Sequence, residues 1–247
     1  MAGSERVIEI RPLATLAEFS EAVQLQQLVW GFADRDVVPL PMFVVAHHTG
    51  GQVFGAFHEG QMAGFCMAVA GVTPEGRPYL HSHMLAVLPE YRDAGIGRRI
   101  KLEQRADALR RGIGLVEWTF DPLEIKNAYF NIERLGAMVR RYEQNIYGAT
   151  SSPLHGSLET DRCVAEWHLD SPRVKDVLAG KKPADRIEER IAVPADIERL
   201  RREDVECART IQRGNAERFE KCFARGLAVT GFERTAKEGV YLLGRVG

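Results

Sequence analysis

Apolar residues along this chain recur with two periods, every second residue in some segments and every third or fourth in others. The first period is typical of a half-buried strand and the second of a helix with one buried face. The strands predicted in this way cover 7–10, 51–57, 62–72, 79–88, 115–120, 137–147, 163–169, 227–232 and 240–243. The predicted helices cover 15–29, 42–48, 98–113, 125–135, 196–202 and 205–225.

Local signals mark the ends of several elements. Thr15 and Glu18 have the spacing of a capping box at the start of the first helix. Gly136 is placed to cap the C-terminal end of the helix over 125–135. Residues 171–186 contain two prolines and several charges, which predicts a linker or a surface crossing.

The helix over 98–113 has an apolar stripe and a basic remainder. Its predicted buried face consists of Leu102, Ala106, Leu109 and Ile113. The rest of its surface is predicted to carry Arg98, Arg99, Lys101 and Arg105.

Composition and charge exclude several classes of protein. Hydrophobic residues make up 45% and charged residues 27% of the 247 residues, which is ordinary for a soluble globular protein. The formal net charge of -1 argues against nucleic acid or a membrane surface as partner, since both require a basic excess. No stretch approaches the ~18 apolar residues of a membrane span, and the first six residues lead to no apolar signal segment.

The four cysteines carry information about compartment and metal binding. They are Cys66, Cys163, Cys207 and Cys222, and no two of them form a C-x-x-C pair. No run of cysteine and histidine has the spacing of a zinc site, so no metal is expected. Scattered cysteines suit a reducing compartment, which predicts a cytoplasmic protein.

The most informative segment joins a strand, a proline stop at Pro89 and a glycine turn, Gly95-Ile96-Gly97, which opens a basic helix. Glycines let a backbone approach a ligand closely and present successive N–H groups to it. The helix that follows adds the positive end of its dipole. Together these features predict a site for an anion, most naturally a pyrophosphate.

Two common pyrophosphate motifs do not match. A dinucleotide-binding turn requires a third glycine where this chain has Ile100, and no ribose-binding acid is obvious about 20 residues further on. A P-loop requires Gly-Lys-Ser/Thr, which is absent from the sequence.

The string Arg92-Asp-Ala-Gly95-Ile-Gly97 does match the R/Q-x-x-G-x-G/A signature of the GNAT superfamily of N-acetyltransferases. The order strand–turn–helix–strand–helix–strand also resembles that family, over residues 7–170 and most strongly over 81–113. The resemblance implies an α/β (α+β) fold with a central mixed, mostly antiparallel sheet flanked by helices. It places an acyltransferase domain at 1–170 and a C-terminal α/β extension at 171–247.

The resemblance also implies a cofactor, acetyl-CoA or another acyl-CoA. The backbone of three strand residues would pair with its pantetheine arm, namely Leu85, Ala86 and Val87. The N–H groups of seven turn residues would hold its pyrophosphate, namely Arg92, Asp93, Ala94, Gly95, Ile96, Gly97 and Arg98.

Two histidines precede the turn and are candidate bases. His81 and His83 lie two apart in a strand, so both project from one face, and histidine titrates near neutral pH. Their segment resembles the corresponding strand of arylalkylamine N-acetyltransferases, where two such histidines remove the proton of the amine. A purely structural role for either histidine stays open.

The general acid of this family is a tyrosine four residues before the helix-ending glycine. Here that position is Ile132, which lies on an apolar stripe, so Tyr129 is the substitute candidate. Asn127 and Asn131 are four apart, so we expect them to share a helix face and to bond the pantetheine amides or the acceptor. Ordinary capping by asparagine is the alternative. This segment resembles a subgroup of uncharacterised predicted acyltransferases that have a C-terminal extension.

These observations predict an enzyme that transfers an acetyl group from acetyl-CoA to a primary amine of a small molecule, by direct attack in a ternary complex. Transfer of a succinyl or other acyl group to an amino acid is one alternative. A regulatory domain that binds acyl-CoA without turnover is another, motivated by Ile132. For the extension, three roles stay open: completing the sheet, covering the acceptor site or forming a homodimer contact.

Overall fold

The computed structural model of the protein describes residues 7–148 and 158–246. The described chain divides into two compact units, one ending at Val116 and the other beginning at Glu117. The first six residues, on which the expected lack of a signal segment depends, lie outside the described residues. The predicted domain boundary between residues 170 and 171 stays a prediction.

The first unit is built on an antiparallel sheet in which the strands lie in the order β1-β2-β3-β4. These strands are β1 Ile8–Pro12, β2 Gln52–His58, β3 Gln61–Val72 and β4 Pro78–Val87. Its helices are α1 Leu16–Trp30, α2 Leu40–His48 and α3 Ile96–Arg110. Two single 3₁₀ turns, Asp34–Asp36 and Pro89–Tyr91, complete the unit.

Helices pack on both faces of this sheet. Met67 of β3 belongs to a core cluster with Phe19 of α1 and Phe43 of α2. Its neighbour Cys66 belongs to a second cluster with Ile100 of α3. Because successive residues of a strand point to opposite faces, α1 and α2 cover one face and α3 covers the other.

The start of α1 confirms the predicted capping box. The Thr15 hydroxyl accepts the N–H of Glu18 at 3.2 Å, and the Glu18 carboxylate accepts the N–H of Thr15 at 3.0 Å. Gly31 ends the helix with a left-handed φ of 63°, a conformation that glycine adopts without steric cost.

The predicted buried face of α3 was wrong. Its buried residues are Ile96, Ile100, Lys101, Gln104 and Ala108, whereas Leu102, Ala106 and Leu109 are only partly buried. Of the predicted stripe, Ile113 alone is buried, and it lies beyond the helix end. Hydrophobic periodicity failed here because a lysine and a glutamine, which hydrogen-bond each other at 2.7 Å, occupy the buried side.

The strand β5 Leu115–Phe120 crosses the division between the units. The remaining strands of the second unit are β6 Met138–Glu143, β7 Arg162–His168, β8 Ile187–Pro194, β9 Leu227–Arg234 and β10 Glu238–Arg245. The strand order is β5-β7-β6-β9-β10-β8. The helices are α4 Ile125–Tyr129, α5 Pro172–Leu178, α6 Ile197–Glu203 and α7 Val205–Ala224. A π-helical turn, Phe130–Arg134, follows α4 directly.

Two elements of the second unit differ from the sequence prediction. The supposed linker over 171–186 contains α5, which begins where the Ser171 hydroxyl accepts the N–H of Val174 at 3.3 Å. The strand β8 was not predicted, because three consecutive charged residues at 188–190 interrupt its alternation of apolar and polar residues.

The predicted fold class is confirmed: mostly antiparallel strands are flanked by helices, and the C-terminal part adds strands β8 to β10 with their helices. Within the described residues, no helix is long and apolar enough to cross a membrane.

Candidate active site

The strand β4 contains a β-bulge at one of the two candidate bases. Along its pairing with β3, Met84 is opposite Met67, but the next pair is Ser82 with Ala68. His83 is therefore the extra residue, without a Cα partner in this register. Bulges re-aim side chains and occur often beside active sites. The sequence carries no local signal for this bulge, because it depends on the register with β3.

The bulge leaves the two histidine side chains as neighbours. The ring centroids of His81 and His83 are 6.2 Å apart. His81 is paired in register with Val69, which packs against the cluster beneath α1 and α2. His83 keeps solvent-accessible surface, yet desolvation by the protein around its imidazole lowers the pKa of His83 below its usual range. A histidine with a lowered pKa is neutral at pH 7 and can accept a proton.

The turn after β4 has the backbone conformation of an anion-binding loop. Asp93 and Gly95 have left-handed φ values of 62° and 74°, and Gly95 is the N-cap of α3. No described side chain caps this helix, so its first N–H groups remain available to a ligand. The Arg92 Nε donates to the Val87 carbonyl at 3.3 Å, which ties the turn back to the end of β4.

The backbone requires glycine at position 95, whereas the packing does not require it at position 97. At Gly95 the left-handed φ of 74° would strain any other residue, although a Cβ there would touch nothing within 4 Å. At Gly97 no left-handed φ occurs, and a Cβ would lie 3.7 Å from Leu85 and 3.9 Å from Val87, an ordinary contact. The packing of the protein itself therefore does not demand glycine at position 97.

The basic residues of α3 divide between the surface and the interior. Arg98 is partly exposed, and Arg99 donates to the Ile8 carbonyl at 2.6 Å. Lys101, which the sequence predicted to lie on the surface, has 2% of its area exposed. Its Nζ donates to the Ser82 hydroxyl at 3.0 Å and to the Gln104 side-chain oxygen at 2.7 Å. This prediction was wrong, because the neighbours that bury Lys101 come from tertiary structure.

The other three predicted site residues lie in the second unit, on α4 and its π-helical turn. Asn127 is exposed, whereas Asn131 is 4% exposed. The two asparagines therefore differ in exposure, and whether they contact one ligand stays a prediction. π-Helical turns inside α-helices are frequent at functional sites.

Ile132, at the position of the family's usual acid, is fully buried, which confirms its predicted place in the core. Tyr129, the substitute candidate, is partly exposed, and the guanidinium of Arg234 lies 5.7 Å from the centre of its ring. Gly136 follows with a φ of 78°, and its N–H donates to the Ile132 carbonyl at 3.1 Å, as the predicted helix cap requires.

Residues 17–136, which include the turn and both histidines, match the model of the acetyltransferase (GNAT) family. The chain contains a GNAT acetyltransferase domain. This match confirms the predicted acyltransferase class and the acyl-CoA cofactor of that class. No curated protein matches the sequence.

Solved structures of this family share the fold. The ribosomal-protein-S18-alanine N-acetyltransferase of Escherichia coli is 18% identical, with a TM-score of 0.52 over 67% of this chain and 96% of that chain. A Salmonella typhimurium protein solved with its cofactor acetyl-CoA is 16% identical, with a TM-score of 0.53 over 67% and 95%. A GNAT acetyltransferase of Streptococcus pneumoniae is 15% identical, with a TM-score of 0.51 over 65% and 98%. At these identities the likeness establishes the fold alone.

Proposed function

We propose that this GNAT domain transfers the acetyl group of acetyl-CoA to a primary amine of a small molecule. The observation that carries the proposal is the uncapped start of α3 at the Gly95–Gly97 turn, directly after the strand that holds His81 and His83. A helix N-terminus attracts phosphate through its N–H groups and its dipole. Histidines beside such a site supply the base that amine acylation requires.

The proposed donor site uses backbone more than side chains. The backbone of Leu85, Ala86 and Val87 pairs with the pantetheine arm, and the N–H groups from Arg92 to Arg98 hold the pyrophosphate. The free space at Gly97 supports this, because the protein's own packing would tolerate a Cβ there. Bound acetyl-CoA in the Salmonella typhimurium protein of the same fold supports acetyl as the acyl group.

The proposed reaction is a direct displacement within a ternary complex. The amine nitrogen attacks the thioester carbonyl carbon, a C–N bond forms, and the C–S bond breaks. His83, with His81 beside it, accepts the proton that the attacking ammonium must lose. Because the pKa of His83 is lowered by desolvation, its neutral form is available at pH 7. The departing thiolate takes a proton from Tyr129 or from water.

Asn127 and Asn131 are proposed to bond the pantetheine amides or the acceptor. Of the two, Asn127 is exposed and so is the one open to a ligand. Asn131 is 4% exposed, so it is the less accessible of the two to a ligand.

One observation favours a second candidate function. Ile132 is buried where an acid is usual, which suits a regulatory domain that binds acyl-CoA without turnover. A succinyl or other acyl donor with an amino-acid acceptor is a further variant of the enzymatic proposal. We further propose a cytoplasmic location, supported by four cysteines that form no disulfide, and a homodimer as the assembly to be tested by light scattering.

A thiol-release assay tests the proposal. Acetyl-CoA and succinyl-CoA would be offered with a panel of small amines, amino acids and a peptide with an N-terminal alanine. Turnover with acetyl-CoA is expected, and His83→Ala should lower kcat about 10²–10⁴-fold while leaving the affinity for acetyl-CoA unchanged. Tight binding without turnover against the whole panel would favour the regulatory candidate. No binding of any acyl-CoA would overturn both.

A further inference from the structure

A row of polar contacts links α3 to the sheet directly beneath it. Ser82 of β4 is opposite Ala68 of β3, which in turn is opposite Gln52 of β2. Lys101 reaches from α3 to the Ser82 hydroxyl at 3.0 Å. Gln52 donates to the backbone carbonyl of Gln104 at 3.0 Å. One helix is thus held to two strands by buried hydrogen bonds.

The face on which Ser82 lies depends on the bulge at His83. Met84 belongs to the core beneath α1 and α2, while Leu85 packs against the cluster that includes α3. In a regular strand, Ser82 would share the face of Met84. It contacts Lys101 of α3 instead, because the extra residue His83 reverses the alternation.

A strand without the bulge would reverse this arrangement. A one-residue slip moves every side chain of the slipped segment to the other face. Such a slip would carry His81 towards α3 and remove Ser82 from Lys101. The contact between Lys101 and Ser82 therefore exists only in the register that holds His81 opposite Val69, on the face covered by α1 and α2.

We propose that Lys101 is a positioning residue whose hydrogen bond to Ser82 specifies the bulge and so holds His81 and His83 on the face opposite α3. The inference rests on the proposed function, in which these two histidines serve the reacting amine. It also explains why a lysine occupies the interior of α3, where an apolar residue would fill the same space but would leave Ser82 without this donor.

The chemistry of the lysine fits this role. Burial lowers the pKa of Lys101 to about 7, and Cys66 of β3 opposes the shift. Both the neutral amine and the ammonium have enough N–H donors for the bonds to Ser82 and Gln104. The side chains near Lys101 include Gln104 of α3, Cys66 of β3 and Ser82 of β4.

The test compares Lys101→Met and Ser82→Ala with a matched loss of charge on the same helix, Arg110→Met. Arg110 is largely exposed, with 67% of its side-chain area accessible. Both interior variants should lower kcat about tenfold, since small misplacements of reacting groups are costly, with KM for acetyl-CoA within about twofold of wild type because the Gly95–Gly97 turn is untouched. Ser82→Thr keeps the hydroxyl and should retain most of kcat, and Arg110→Met should change neither constant.

A substrate-free readout keeps the inference separate from the proposed function. Nuclear magnetic resonance of the histidine rings should show His81 and His83 as neighbours in wild type and in Ser82→Thr. Their proximity and the titration of His83 should change in Ser82→Ala and Lys101→Met. Unchanged ring signals and an unchanged kcat in both interior variants would overturn the inference. If wild type has no turnover but the rings respond as described, the proposed function fails and the positioning role stands.

Discussion

Lys101 in the first unit and Arg201 in the second are both buried long cationic side chains, and their surroundings differ. Lys101 on α3 is 2% exposed, and its hydrogen bonds to side chains include two neutral oxygens, those of Ser82 and Gln104. Arg201 on α6 is 8% exposed and donates to two carboxylates, Asp121 at 2.7 Å and Glu124 at 3.0 Å.

The difference follows from the chemistry of the two cations. A guanidinium does not release its proton in proteins, so it can be buried only with opposing charge. An amine can be buried by losing its proton, and burial lowers the pKa of Lys101 to about 7. The first unit therefore buries an amine that can lose its proton near pH 7, whereas the second buries a charged network.

The largest expected effect comes from breaking the charged network. Arg201→Met removes the guanidinium that donates to Asp121 and Glu124, and removing one partner of a buried pair costs roughly 3–5 kcal/mol. Urea unfolding monitored by circular dichroism should show this loss of unfolding free energy. The double variant with Asp121→Asn should recover part of it.

Arg199→Met is the control for this comparison. Arg199 lies on the same helix and pairs with Asp196 and Glu203 at an exposed surface, where ion pairs contribute only about 0–1 kcal/mol. Equal effects of Arg199→Met and Arg201→Met would contradict the distinction between surface and buried charge.

The next effect is the pH dependence of stability caused by Lys101. In the unfolded chain a lysine keeps its proton up to pH ~10.4, whereas Lys101 in the folded protein loses it near pH 7. Between these values the unfolded state binds more protons, so the free energy of unfolding rises with pH. The contribution should be roughly 2 kcal/mol between pH 7 and 9.

The measurement is the difference in unfolding free energy between wild type and Lys101→Met at several pH values. Above pH 9 the titration of Cys66 interferes, because burial raises the pKa of its thiol to about 11. This titration lowers the free energy of unfolding as the pH rises, whereas that of Lys101 raises it. A difference that stays constant from pH 7 to 9 would mean that the lysine does not titrate in this range.

A smaller effect is expected for a neutral contact near the charged network. The Tyr241 hydroxyl donates to the Pro122 carbonyl at 2.7 Å, in the turn that follows Asp121. Tyr241→Phe removes this bond alone and should lower the free energy of unfolding by about 1 kcal/mol. A loss as large as that of Arg201→Met would show that charge is not what distinguishes the second unit.

The smallest effect is expected at the surface of α3. Arg110 pairs with Asp107 at 3.1 Å and is largely exposed, so Arg110→Met should change the free energy of unfolding by less than about 0.5 kcal/mol at any pH. Differential scanning calorimetry at pH 7 and 9 checks this. If the unfolding free energy of Arg110→Met also changed with pH relative to wild type, the pH dependence expected for Lys101 would be explained by the loss of net charge instead.

The comparison also explains how far the sequence predicts the structure. The Gly95–Gly97 turn and the capping box at Thr15 were predictable, because a left-handed φ and a first-turn hydrogen bond are local requirements. The bulge at His83 was not, because it exists only through the register between β3 and β4.

The buried polar residues were missed for a related reason. Lys101 resembles a surface residue until the sheet beneath α3 is known, and periodicity counts apolar residues only. The strand β8 was not predicted, because Glu188, Glu189 and Arg190 interrupt its alternation of apolar and polar residues. Two of its later residues, Ile191 and Val193, are fully buried. Sequence patterns thus identified the candidate donor turn but not the contacts behind it.

The most direct test of the central claim uses Gly97→Val, with Gly214→Val in α7 as the matched control. A Cβ at Gly97 would make only ordinary contacts with Leu85 and Val87, and a Cβ at Gly214 would meet no atom within 4 Å, so both variants should fold. Calorimetry with acetyl-CoA should show affinity at least about tenfold weaker for Gly97→Val, a loss of ~1.4 kcal/mol, and unchanged affinity for Gly214→Val. Equal affinity of wild type and Gly97→Val for acetyl-CoA would contradict the claim that this turn holds the pyrophosphate.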